Sequence, residues 1–149
     1  MTDAYSTLND VLVNIFNKII SIEEKAVITG DFVDISVNDM HIIKAVGVDI
    51  PKNMSTIAKE LSVTVGTLTI AINSLVKKGY VIKKRSEKDR RVVYIHLSEK
   101  GIKAYEYHKK FHNDMIESII KEFEGKEEEL EILIRLLSKL VGFFDEKSS

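Results

Sequence analysis

Residues 53–80 read NMSTIAKELSVTVGTLTIAINSLVKKGY, and the reading of this stretch decides the fold. A short amphipathic helix is predicted from about Met54 to Leu61, with Ile57, Ala58 and Leu61 on its inner side. Ser62 and Val63 leave room only for a tight turn, and Thr64 is placed to cap a second helix. That helix runs to Lys78, carries Leu68, Ala71, Ile72, Leu75 and Val76 as its inner stripe, and meets a left-handed stop at Gly79. Two short helices joined this closely make a helix-turn-helix. Beyond Gly79 the period changes. YVIKKR (80–85) and RVVYIHL (91–97) are rich in β-branched and aromatic residues, and the polar SEKDR between them reads as a hairpin loop. The result is a β-wing with a basic tip.

Working outward, residues from about 3 to 28 place Leu8, Val11, Leu12, Ile15, Phe16, Ile19, Ile20 and Ile22 at three- and four-residue spacing, a helix with a wide apolar stripe that Gly30 ends. Ser36 caps a shorter helix, Asp39 adds negative charge to its first turn, and Gly47 and Pro51 close the segment. Downstream, Ser98 and Gly101 suit the start of a long helix that continues to about Phe123. A last helix over about 126–144 carries Leu130, Ile132, Leu133, Leu136, Leu137, Leu140, Val141, Phe143 and Phe144, more apolar surface than one core-facing stripe requires. Part of it should meet a partner. The terminal DEKSS is expected to fray.

With 149 residues, 44% of them hydrophobic, and no repeat or flexible linker, the chain is expected to form a single domain over 1–149. The fold class is mainly α with a small β-wing. There is no Cys, hence no thiolate metal site and no thiol switch. The opening MTDAYSTLND lacks a basic start followed by an apolar run, and no stretch approaches the ~18 apolar residues of a membrane span. A cytoplasmic location without membrane contact is the expectation. Net charge is -1, which by itself argues against a polyanionic partner, but the average hides a polarised chain. Eight basic residues stand against two acidic ones between Lys77 and Arg91, whereas six glutamates stand against Lys126 between Glu122 and Glu131. The acidic run reads as a solvated face; the basic one lies in the wing.

The major groove of DNA admits an α-helix. The outward N-terminal face of the second helix offers Thr64, Val65, Gly66, Thr67, Thr69 and Asn73, with Ile70 beside them. Hydroxyls can reach phosphates or base edges, methyls can touch thymine, Asn73 can read adenine or hold the backbone, and Gly66 permits close approach. Each threonine taken singly could equally be a capping or solvated residue. In the wing, Arg90 and Arg91 can enter a narrow minor groove, and Asp89 makes sense beside them if it orients one guanidinium by charge-assisted hydrogen bonds. The bland alternative is a surface ion pair worth ~0–1 kcal/mol. Lys83, Lys84, Arg85 and Lys88 are candidates for phosphate contacts.

The order of long helix, helix, helix-turn-helix, Lys-Lys-Gly-Tyr, wing with Asp89-Arg90-Arg91, then Leu97-Ser98-Glu99-Lys100-Gly101 resembles the MarR family of bacterial winged-helix regulators over nearly the whole chain. The resemblance implies a homodimer in which helices over about 3–28 and 99–145 form a dimerisation platform around a winged helix-turn-helix over about 36–97. It also implies a sequence-specific repressor of double-stranded DNA with a pseudo-palindromic operator. Ile70 departs from the family pattern, standing where many members carry Arg. The stretches NDMHIIKAVG, LSVTVGTLTIAINSLVKKGY, RSEKDRRVVYIHL and HKKFHNDM are similar to the subgroup that represses fatty-acid biosynthesis genes in Gram-positive bacteria. For that subgroup the co-regulator is a long-chain acyl-acyl carrier protein whose acyl tail is held within the helical dimer. By this resemblance Leu12, Phe16, Ile19, Phe111 and Met115 would line the tunnel, although such residues at helical spacing are more often ordinary core.

The alternative within the regulator class is a family member that answers to another small ligand or to zinc. His108 and His112 lie four apart, a spacing at which two imidazoles can share a metal, but without Cys they make an incomplete set, and His41 and His96 lie further away in the chain. No cofactor and no metal site is expected. A phosphate-binding glycine loop, a nucleophile elbow and an HExxH pair are all missing from the sequence, so catalysis is not expected either. A winged helix used only for protein contacts is the remaining rival, and the basic wing argues against it.

Overall fold

The computed structural model describes residues 2–148 and divides them into two units, one up to Lys109 and one from Lys110 onward. Helix α1 spans Thr2–Thr29, α2 Val37–Val46, α3 Met54–Glu60 and α4 Val65–Lys77; strands β1, β2 and β3 cover Lys52–Asn53, Val81–Arg85 and Val93–Leu97. Helix α5 (Glu99–Glu122) begins in the first unit and ends in the second, which also holds α6 (Glu127–Ser148). The architecture is mainly helical with a small antiparallel sheet, a winged helix-turn-helix as the residue pattern predicts.

Local chemistry sets the helix ends. Ser36 Oγ accepts the Asp39 backbone N–H at 3.1 Å, and Asp39 Oδ2 accepts the Ser36 N–H at 3.0 Å, a complete capping box where only a cap and a charge are evident from sequence. Asn53 Oδ1 accepts the Thr56 N–H at 2.8 Å and starts α3. The turn to α4 puts Ser62 in the left-handed region, at φ 55, and Thr64 then caps α4. At its far end Gly79 has φ 86; its N–H donates to Val76 O at 3.0 Å and the Tyr80 N–H donates to Leu75 O at 2.9 Å. These two bonds satisfy carbonyls the helix would otherwise leave open.

Strand β1 is absent from the sequence reading. It comprises two residues, paired Lys52 to Ile95 and Asn53 to Tyr94, and it sets the sheet order β1-β3-β2. Lys52 also ties two helix ends together, its Nζ donating to Ala45 O at 2.7 Å and to Glu60 at 3.1 Å. The core of the first unit lies between this sheet and the helices, where Ile43, Ile57, Ile72, Leu75, Tyr80, Ile95 and Ala104 are fully buried. Each large aliphatic side chain withdrawn in this way contributes about 1.5–3 kcal/mol.

Tyr80 joins the wing to α5. Its carbonyl accepts the Ser98 N–H at 2.9 Å, and its hydroxyl donates to Asp34. Lys100 Nζ lies 4.3 Å from its ring centre. A Cβ on Gly101 would sit 2.0 Å from the Tyr80 carbonyl oxygen, so only glycine lets the first turn of α5 approach this closely. The spacing from Lys-Lys-Gly-Tyr to Leu-Ser-Glu-Lys-Gly therefore has a packing cause.

In the second unit, α5 ends and the chain reverses through Gly125 at φ 78. Three glutamates, Glu127, Glu128 and Glu129, occupy the first turn of α6, where the helix dipole favours negative charge. That gives three of the six glutamates of the acidic run a local role. Of the terminal segment expected to fray, residues 145–148 continue α6, with Lys147 Nζ 5.6 Å from the Phe143 ring centre and supplying the cation of the last turn, while Ser149 lies outside the described residues. Among the described residues, no helix is long and apolar enough to cross a membrane.

Candidate nucleic-acid interface

The N-terminal face of α4 is open to solvent. Thr64, Val65, Gly66, Thr67, Ile70 and Asn73 are exposed and Thr69 is half-buried. Several of these groups are already engaged. Thr64 Oγ1 accepts the Thr67 N–H at 3.2 Å while its own hydroxyl donates to Thr67 Oγ1 at 2.9 Å. The Thr69 hydroxyl donates back to Val65 O at 2.7 Å. Two of the three hydroxyl donors therefore serve the helix, and the Thr67 hydroxyl stands at its entrance. Ile70 is 76% exposed, the barest apolar side chain of α4. No atom lies within 4 Å of the position a Cβ would take at Gly66, so another backbone has room to approach there.

The wing is built as a rigid loop. The Ser86 N–H donates to Val92 O at 2.9 Å, the Val92 N–H to Asp89 O at 3.0 Å, and Arg85 Nη1 to Arg90 O at 2.7 Å. Asp89 receives Arg91 three times: Nε at 3.1 Å and the backbone N–H at 3.1 Å on Oδ1, and Nη2 at 3.2 Å on Oδ2. The two-point guanidinium contact holds the Asp89 carboxyl below the ordinary carboxylate range, and the Arg91 backbone N–H adds to the effect. Arg91 remains 91% exposed, so the pair stiffens a cation in open solvent without hiding it. Lys88 and Arg90 are exposed beside it. Lys83 donates to Asn73 Oδ1 and so ties the base of the wing to α4. A concavity of about 450 Å³, lined by Met54, Thr69, Lys83, Arg85 and Val93, lies between the two.

An exposed helix face beside a cationic hairpin is the shape of a duplex reader, and comparison with known proteins agrees. The profile of the family described as transcriptional regulator SarA/Rot matches residues 30–107. The uncharacterized HTH-type transcriptional regulator YpoP of Bacillus subtilis is 30% identical over 141 residues, which is 94% of this chain and 92% of the relative. The crystal structure of Streptococcus pneumoniae FabT in complex with DNA has a TM-score of 0.91 at 40% identity, covering 95% of this chain and 98% of FabT. A MarR protein from Peptoclostridium difficile shares the fold, at 21% identity and a TM-score of 0.76, over 95% of this chain and 89% of its own. The chain belongs to the SarA/Rot family of transcriptional regulators. It is a DNA-binding transcription regulator with a winged helix-turn-helix fold.

The remaining candidates fall on the long helices. Leu12, Phe16 and Ile19 lie along α1, with Phe16 largely exposed and Leu12 half-buried. Phe111 and Met115 lie on α5 and are half-buried, and the Phe111 ring meets His112 edge-on at 5.4 Å between centres. The histidine spacing within α5 misses what the fold gathers. His108 faces His41 of α2, with ring centres 5.9 Å apart, and Glu23 of α1 completes the group. His41 is remote in the chain yet adjacent in space. Neither residue spacing nor helical period carries that information.

Proposed function

We propose that the chain acts as a homodimeric transcriptional repressor of a pseudo-palindromic operator, reading the major groove with α4 and the flanking minor groove with the wing. The exposed, Asp89-braced Arg91 is the observation that carries the reading. A guanidinium already ordered by a neighbouring carboxylate loses less freedom on binding than a free one. Thr67, Val65 and Ile70 supply the base-facing surface; Lys83, Arg85, Lys88 and Arg90 supply charge against phosphates and the minor groove. Pairing of two chains is supported by apolar residues left on the surface, among them Leu8 and Ile15 of α1 and Ile134, Leu137 and Val141 of α6.

The regulon we propose is fatty-acid biosynthesis, with long-chain acyl-acyl carrier protein as co-regulator. The likeness to FabT over 95% of the chain supports it. The test is a fluorescence titration of duplexes from fatty-acid-gene promoters at two salt concentrations, alone and with carrier protein that is either unloaded or charged with a long acyl chain. Tighter, salt-sensitive binding with the charged carrier is the expected result. Equal affinity with both carriers removes the lipid reading, and loss of salt dependence removes the DNA geometry.

A further inference from the structure

The sheet has a face that neither α4 nor the core uses. Val81 and Ile95 are buried, so strand alternation turns Ile82 and Lys84 of β2 outward with Tyr94 and His96 of β3, paired Ile82 to His96 and Lys84 to Tyr94. Lys83 lines the cleft to α4, whereas Lys84 lines a groove of about 740 Å³ on the opposite side. The loop after α2 and Ile102 of α5 wall the rest of that groove. Its apolar side chains are open to solvent: Val48, Tyr94 and Ile102 are exposed, and Ile50 is 72% exposed. Lys84, Arg85 and Lys88 stand along it against Asp49 and Glu87. We propose that this groove docks the acid-flanked face of α6 from a neighbouring copy of the chain. The inference goes beyond the operator reading, rests on the pairing assigned to Ile134, Leu137 and Val141, and is independent of the acyl co-regulator.

The occupant is argued from α6 itself. At the helical period, Ile134, Leu137 and Val141 share one side. Ile132 and Leu136 fall on the other side, and both are exposed. Glu128 and Glu129 lie one turn before Ile132, and with Glu131 they outnumber Arg135 on that side. An apolar strip edged with carboxylates complements an apolar groove edged with lysines. The second stripe of α6, which pairing through the first leaves bare, thus has a counterpart on the same chain.

The two surfaces differ, so the contact is heterologous and passes from copy to copy without closing on itself. Four docking side chains bury well under the roughly 1,200 Å² of a stable interface, so association is weak in free solution. Copies held side by side on one duplex meet at a high effective concentration, where the same contact gives cooperative occupation of adjacent operators.

The experiment is sedimentation equilibrium of the full-length chain without DNA, from about 1 μM to about 500 μM, at low and at high salt. The mass at the dilute end reports the pairing by itself, and a single-chain mass there counts against the pairing alone. Growth of the mass beyond that basal species as concentration rises, weaker in high salt, is the expected result. Ile50→Asp, at an open position, should lower the association constant of this growth about 10-fold and keep the dilute-end mass. Lys84→Glu and Glu128→Lys should each weaken it to a similar degree. The chain carrying both should recover to within about 3-fold of the parent, because the two charges are exchanged and remain opposite. Far-UV circular dichroism reports that each variant folds. A parent mass that stays at the basal value throughout, or growth that Ile50→Asp leaves intact, overturns the docking; a double variant that fails to recover overturns α6 as the occupant.

Discussion

Asp89 and Arg91 form a small machine in two residues. The carboxylate takes two guanidinium donors and one backbone N–H, so the arginine points outward from the wing in one orientation. Arg91→Ala should weaken operator binding by about 10-fold and make the log–log salt slope shallower by about 1. Fluorescence anisotropy at several salt concentrations measures both, and parental affinity in the variant would remove the wing from the interface. The pH behaviour follows from the direction of the Asp89 shift. Its folded value is lowered from 3.8, so the pair persists above the ordinary aspartate range and is lost only as pH falls through the lowered value. By NMR the Asp89 side-chain carbon should titrate below 3.8 in the parent and move back towards 3.8 in Arg91→Ala; an unmoved midpoint would show that the arginine is not the cause.

At the scale of elements, α4 separates two kinds of threonine. Thr64 is bound into the helix start, so Thr64→Val should cost about 1 kcal/mol of stability through the lost cap. Thr67 also meets that cap but keeps its hydroxyl at the exposed entrance, so Thr67→Val should mainly change base preference in a selection from random duplexes. Identical preference in parent and variant would take Thr67 out of readout. The junction of wing and α5 is stricter. Gly101→Ala places a methyl 2.0 Å from the Tyr80 carbonyl oxygen, and urea denaturation should show a loss of about 1–3 kcal/mol or more as the helix start moves away. A neutral result would mean that α5 can shift without cost.

For the whole molecule, the exposed apolar residues of α1 and α6 are the feature to explain. If the chain pairs as proposed, Leu137→Glu combined with Val141→Glu should convert the proposed dimer into a monomer in sedimentation velocity and lower operator affinity by well over 10-fold, because one chain then supplies one recognition helix. A double variant that still sediments as a dimer places the interface elsewhere.

The sequence by itself determined the helices, their order, the turn between α3 and α4, and the hairpin of the wing. Each is written in local period and in caps such as Ser36, Thr64 and Gly79, where the determining contacts lie within a few residues. The candidate DNA residues were legible for the same reason, since they cluster in one helix start and one hairpin. Only the tertiary structure decided that Lys52 and Asn53 form a strand, because two polar residues after a proline have no β signature until Tyr94 and Ile95 lie beside them. It likewise decided that Lys83 engages Asn73, and that Glu23, His41 and His108 converge from three helices. Such contacts depend on where packed elements meet, and no spacing along the chain encodes that meeting point.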